Sequence, residues 1–269
     1  MTTRAWTTTL KGRMKDSSLR LQDKTVLLTG PFNGITQAIL RTLTEFGCDV
    51  GYVNDQAAYA SKYTDALNEA RDVHPEYGRA AHIGLSLSSD KQIQEALGRI
   101  VESLGRMDAL VDTSPLAWNA QSDPTASANL TLGLAEKLIP FFLAKQRGRV
   151  IYLFEDSTLD RMSPSPVASG CREALLNNIN VLAQRHRLQN VTVNAITLGA
   201  TDDFLLKIFP KSISLKKSFA ELQSQFPEPS LKLVEFHDVG LSVAYLASAL
   251  AAGVTGQVLR LTHGAHLNI

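Results

Sequence analysis

The sequence lacks the residues that would announce a metal centre, a disulfide framework or a membrane span. It has two cysteines, Cys48 and Cys171, and no ligand spacing links them. That excludes a thiolate metal site and a cysteine-stapled secreted scaffold. Both thiols are expected to be buried and reduced, in a cytoplasmic protein without a metal cofactor. No apolar run reaches the roughly 20 residues of a spanning helix, so no membrane partner is expected. An excess of charge is also missing, since 27 Lys and Arg face 26 Asp and Glu. Nucleic-acid binding requires a basic excess or stripe, so nucleic acid is not expected as a partner either. No internal repeat is present. What remains is 269 residues, 44% of them hydrophobic, which suffices for the core of one α/β domain.

The first twenty residues stand apart. MTTRAWTTTLKGRMKDSSLR is rich in Thr, Ser, Lys and Arg, with the single acid Asp16. It has no apolar centre of the kind a secretory signal needs, although transit peptides share its composition. We expect a polar arm over 1–20, with Trp6 as an anchor that docks on something such as a neighbouring subunit, and one domain over 21–269.

That domain is organised around 24–53. An apolar run over 25–28 predicts a buried strand, and 30–34 carries two glycines of a turn. Ile35, Ala38, Ile39, Leu43 and Phe46 follow at helical spacing, Gly47 stops the helix, and a second strand starts at Val50. The helix N-terminus behind such a turn presents free N–H groups and the positive end of the helix dipole, which suits a phosphate. Beyond it, strands are expected over 81–85, 109–112, 150–154, 191–196 and 257–261. Helices are expected over 55–73, 90–104, 126–145, 169–187 and 238–251, with Ser89 or Asp90 capping the second of them. The segment 202–229 reads as irregular with short helical pieces. Strands alternating with helices imply a doubly wound parallel sheet with helices on both faces, and ligands at the carboxyl ends of its strands.

Three stretches in this order carry a resemblance. They are Thr29-Gly30-Pro31-Phe32-Asn33-Gly34-Ile35-Thr36, VTVNAITLGATDD and VTGQVLRLTHGA. Together they resemble the cofactor turn, the sixth strand and the closing strand of the short-chain dehydrogenase/reductase family. The resemblance runs from about Leu21 to the C-terminus and implies a Rossmann-like fold. It implies cofactor contacts from Gly30, Asn33, Gly34 and Ile35, from Asn54 at the ribose and from Ser86 near the adenine. It also implies a homo-oligomer, or a hetero-oligomer with a related subunit, formed through the two long helices over 126–145 and 169–187.

The family's chemistry uses Asn, Ser, Tyr and Lys. Aligning its Lys-x-Ala-Leu piece puts Arg172 at the Lys position and Ala168 at the Tyr position, and the Ser position lands on Glu155. Only the helical Asn is kept, as Asn129. No tyrosine lies between Tyr152 and Tyr245 to supply a shifted register. Alanine has no proton to give, and an Arg stays protonated where a Lys would be tunable. Glu155 and Arg172 are expected to face one another as a pair; in a second reading Glu155 or Asp156 is a relocated acid/base. In the cofactor turn Thr36 stands for the third Gly, either narrowing the phosphate site or binding an anion through its hydroxyl. Pro115 adds bulk on the adenosine path.

These departures imply weak or absent NAD or NADP binding, with NAD the better fit because Asp55 follows Asn54. Three functions remain open. The first is a catalytically degenerate member acting as a binding, regulatory or scaffolding subunit. The second is an NAD(P)-dependent oxidoreductase with relocated acid/base groups. The third is a non-redox isomerase or cyclase taking a small-molecule ligand in the old pocket. His186 is expected as a solvated helix end, His237 as a capping residue, and 204–226 as either an apolar lid or surface packing.

Overall fold

The computed structural model describes residues 19, 21–55, 57–87, 89–118, 124–209, 214–225 and 232–267. The polar arm with Trp6, and the side chain of His266, lie outside the described residues.

Seven strands form one sheet in the order β3-β2-β1-β4-β5-β6-β7, every neighbouring pair parallel. They are β1 Thr25–Thr29, β2 Asp49–Asn54, β3 Ala80–Gly84, β4 Ala109–Asp112, β5 Gly148–Glu155, β6 Val191–Leu198 and β7 Val258–Leu261. The crossover helices are α1 Gly34–Glu45, α2 Ala57–Val73, α3 Asp90–Leu104, α4 Pro124–Ala144 and α5 Pro166–His186. After β6 come α6 Asp202–Ile208, α7 Leu215–Gln225 and α8 Phe236–Ala247. Each expected strand and helix is present, most of them with ends shifted by a few residues.

The sheet is covered on both faces. One face packs α3, α4 and α5 through Ile100, Leu138 and Leu175 against Leu110 and Val150. The other packs α1 and α8 through Ile39, Leu43 and Val243 against Leu28 and Ile196. Each such aliphatic side chain, 0–1% exposed, contributes about 2 kcal/mol over leaving it in water. Gly34 is required by this packing, because a Cβ there would come within 2.3 Å of the Phe236 ring at the start of α8. A third, smaller cluster joins α6 and α7 through Phe204, Leu205 and Leu222 to Leu159. Of the segment 204–226, the described parts in α6 and α7 are thus held by apolar packing of their own.

Cys48 and Cys171 are buried and not disulfide-bonded, as expected. His186 is not the solvated helix end expected: it is 8% exposed and its Nδ1 lies 2.8 Å from Gln189 Oε1. His237 lies inside α8, one residue past its first, and does not cap it.

Candidate functional site

Strand order reverses between β1 and β4, so the crevice at their carboxyl ends is where such a sheet takes a ligand. The chain enters it through Gly30, at φ +127°, where a Cβ would lie 2.1 Å from Thr113 Oγ1 and 2.6 Å from the Thr113 carbonyl carbon. Thr113 closes the crevice floor by donating both its amide and its hydroxyl to Thr29 O, each at 2.8 Å. Asn33 caps α1, accepting the Thr36 amide at 3.0 Å. Thr36 does not offer its hydroxyl to an anion. It is fully buried and donates to Pro31 O at 2.6 Å and to Asn33 Oδ1 at 2.9 Å, so it ties the turn together.

The amides that point out of the turn already have a partner. Asp203, in the first turn of α6, accepts from Ile35 N at 2.9 Å and Gly34 N at 3.3 Å. Burial pushes the Asp203 carboxyl up, and these two amides pull it part of the way back. A carboxylate therefore sits where free N–H groups and helix dipole favour a phosphate. The sequence shows the local half of this, Thr201 followed by two acids as a helix start. The contact to a turn 168 residues earlier carries no sequence signal.

The ribose side is also engaged internally. Asn54, expected to meet ribose hydroxyls, is 8% exposed and turned inward. Its amide donates to Tyr52 Oη at 2.6 Å, and Tyr52 donates to Gly30 O at 2.9 Å. Asn54 Oδ1 lies 3.0 Å from His82 Nε2, and His82 Nδ1 lies 2.9 Å from Ser61 Oγ. Ser86 follows β3 and is half-buried. In this arrangement the Gly34 and Ile35 amides and the Asn54 side chain, expected to meet a dinucleotide, are bonded within the chain.

The second station is a cleft of about 70 Å³ lined by Trp118, Glu155, Asp160, Ala168, Arg172 and Lys207, among others. Glu155, Ala168 and Arg172 do come together here. Asn129 does not; it is exposed on α4 and is not part of the lining. The expected carboxylate pairing of Glu155 with Arg172 does not form either. Lys207, from α6, donates to Glu155 Oε1 at 2.9 Å and Oε2 at 3.1 Å, and to Trp118 O at 3.2 Å. Arg172 instead donates to both Asp160 oxygens, at 2.7 and 2.5 Å, and to the backbone carbonyl of Glu155 at 3.0 Å. Both Asp160 oxygens lie within reach of the one nitrogen Nη2, while Nη1 is taken by the Glu155 carbonyl. Burial pushes the Glu155 carboxyl up, and the Lys207 ammonium offsets part of that. Asp156 is a structural acid. It is fully buried, accepts from Thr197 Oγ1 at 2.7 Å and caps the turn Ser157–Arg161 through Thr158 N.

A parallel sheet with a glycine turn and helix N-terminus at its switch point defines the class: a doubly wound, Rossmann-like α/β protein. The comparisons narrow it. The family model described as enoyl-(acyl carrier protein) reductase matches residues 30–266, and the chain belongs to the short-chain dehydrogenase/reductase family. It is 26% identical to the enoyl-(acyl-carrier-protein) reductase (NADH) of Nostoc sp., over 91% of this chain and 97% of that one. It is 22% identical to the 3-oxoacyl-(acyl-carrier-protein) reductase of Vibrio cholerae, over 93% and 100%. Among solved structures, the hydroxysteroid dehydrogenase of Escherichia coli superimposes with a TM-score of 0.72 at 19% identity, covering 93% of this chain and 98% of that one. This is a family of oxidoreductases that typically bind NAD(P), and no helix among the described residues is long and apolar enough to cross a membrane.

Proposed function

We propose that this chain is a non-catalytic member of its family, a binding or regulatory subunit that holds a dinucleotide weakly or not at all. One observation carries the reading. The cleft that resembles the family's reaction site is lined by Ala168, and the charged groups around it are committed to each other as Lys207–Glu155 and Arg172–Asp160. In both pairs the cation faces a carboxylate, and no hydroxyl stands at position 168 to act as the family's proton donor. Exposed Phe141 on α4 and Val181 on α5 support an oligomer formed through these helices, either with itself or with an active relative. The buried thiols, not disulfide-bonded, support a cytoplasmic setting.

A second reading has its own support. The relatives named above are oxidoreductases by name, and a half-buried Glu155 next to Lys207 is a plausible substitute acid in an NAD(P)-dependent enzyme. Titration of the pure protein with NADH and NADPH, followed by fluorescence and calorimetry, separates the two. No saturable binding at millimolar cofactor is the expected result. Saturable micromolar binding of either cofactor would sink the non-catalytic reading.

A further inference from the structure

Asp203 and Lys207 are four residues apart on α6, so they project from one side of the helix. One end of that side meets the glycine turn and the other meets the cleft. Asp203 accepts the Gly34 and Ile35 amides, and Lys207 reaches Glu155 and the Trp118 carbonyl. Between them Phe204 and Leu205, 3% and 0% exposed, pack on Leu159, Ala200 and Leu222. Thr201 fixes where the helix begins, its hydroxyl accepting the Phe204 amide at 3.1 Å. Every contact needed to hold this helix across the groove is supplied by the chain itself.

We infer that residues 201–209 are a self-inhibitory strap: the Asp203 carboxylate stands in for a ligand's phosphate on the α1 amides, and Lys207 fastens the far end to Glu155. The inference rests on the non-catalytic reading above and gives it a physical cause. A diphosphate and the Asp203 carboxylate cannot share the same two N–H donors. A tethered anion is also present at high effective concentration, so it outcompetes a free one. The affinity of any anionic ligand for the turn is then the intrinsic affinity multiplied by the fraction of molecules with the strap open.

The test reads the strap and the ligand separately. Hydrogen exchange of wild-type protein should show the amides of Gly34 and Ile35 protected. Asp203→Ala should speed their exchange about tenfold or more, and Lys207→Met should speed exchange across 203–209. In parallel, NADH and inorganic pyrophosphate are titrated into wild type, Asp203→Ala and Asp203→Asn. The Asn variant removes the charge while keeping an acceptor, and it serves if the Ala variant folds poorly. A strap closed nine-tenths of the time or more predicts a gain of about tenfold or more for the uncharged variants. Unprotected amides in wild type, or equal affinities across the three proteins, overturn the strap. Micromolar NADH binding by wild type with a further tenfold gain in Asp203→Ala would keep the strap and reject the non-catalytic reading. No binding by wild type and no gain in the variants would do the reverse.

Discussion

Replacing Asp112 by Asn should remove a loss of stability that sets in as pH rises from about 4 through 6, of an amount that the structure allows to be worked out. Asp112 is the last residue of β4 and is 1% exposed. It lies beside Tyr152, its register partner on β5. Its Oδ1 accepts the Ser114 amide at 2.9 Å. Burial pushes its carboxyl up to about 6 from the usual 3.8, with the Ser114 hydrogen bonds pulling only partly against it. Between about pH 4 and 6 the native state therefore keeps a proton that the unfolded chain has already released. Stability then falls as pH rises through that window. Two units of displacement correspond to about 3 kcal/mol, at roughly 1.4 kcal/mol per unit, and about 2 kcal/mol of it develops between pH 4.5 and 8. Asn cannot ionise. Any cost of placing its NH₂ group is independent of pH, so it shifts the whole comparison without tilting it.

Urea unfolding of both proteins at pH 4.5, 6 and 8 isolates the effect. Other groups titrate alike in the two chains and cancel in the difference. The gap between variant and wild type should move in the variant's favour by about 2 kcal/mol from the lowest to the highest pH. A gap that stays constant would mean that the Asp112 charge is hydrated or paired in the native state, and the reasoning from burial would be wrong.

Asp108, just before β4, should titrate with the opposite sign. Burial alone would raise its carboxyl, but Arg106 at 2.8 Å and the Thr25 amide at 3.0 Å outweigh it and hold it below the ordinary value. Its contribution is present above about pH 4 and is lost as pH falls through its native pKa. Asp108→Asn should therefore destabilise the protein at pH 7, and progressively less towards pH 3, in the same urea assay. Gly30→Ala should cost about 3 kcal/mol or more, because the new Cβ meets Thr113 backbone at 2.6 Å and φ is +127°. A loss of less than about 1 kcal/mol, from the midpoint shift multiplied by the m-value, would show that the turn relaxes freely.

The fold was legible because its signals are local. Ser89 caps α3 by accepting the Gln92 amide, as its position before an amphipathic run indicates. The strand runs and the Gly30–Gly34 turn are equally local. The site was legible in membership more than in pairing. Glu155, Ala168 and Arg172 meet because a strand end and a helix face place them together. Which cation meets which acid depends on α6, whose Lys207 lies 52 residues from Glu155 and in a segment with no clear period. Asn54 reads as a ribose ligand only if its side chain faces out. Tyr52 two residues earlier and His82 on β3 offer it partners inside, which no local pattern reveals.

The two stations are joined by one helix, and on the proposed non-catalytic reading that links their chemistry. A family member that binds a diphosphate needs the amides after the glycine turn to be free. An acid at position 203 is then penalised directly, by repulsion from the ligand and by competition for the same donors. Once hydride transfer is no longer required, that penalty vanishes and the same acid becomes favourable. It satisfies two helix N-terminal amides and complements the α1 dipole, worth about 1 kcal/mol or more in a half-buried setting. On the proposed reading, Ala168 carries no proton and leaves no reason to keep Glu155 out of the cleft, and Lys207 supplies the counter-charge that makes it tolerable there. Each substitution is costly in an active dinucleotide enzyme and neutral or favourable without one. On the proposed non-catalytic reading, an acid at 203 that closes on the turn is a more specific mark than Thr36, whose hydroxyl serves the turn and would not compete with a phosphate for the Gly34 and Ile35 amides.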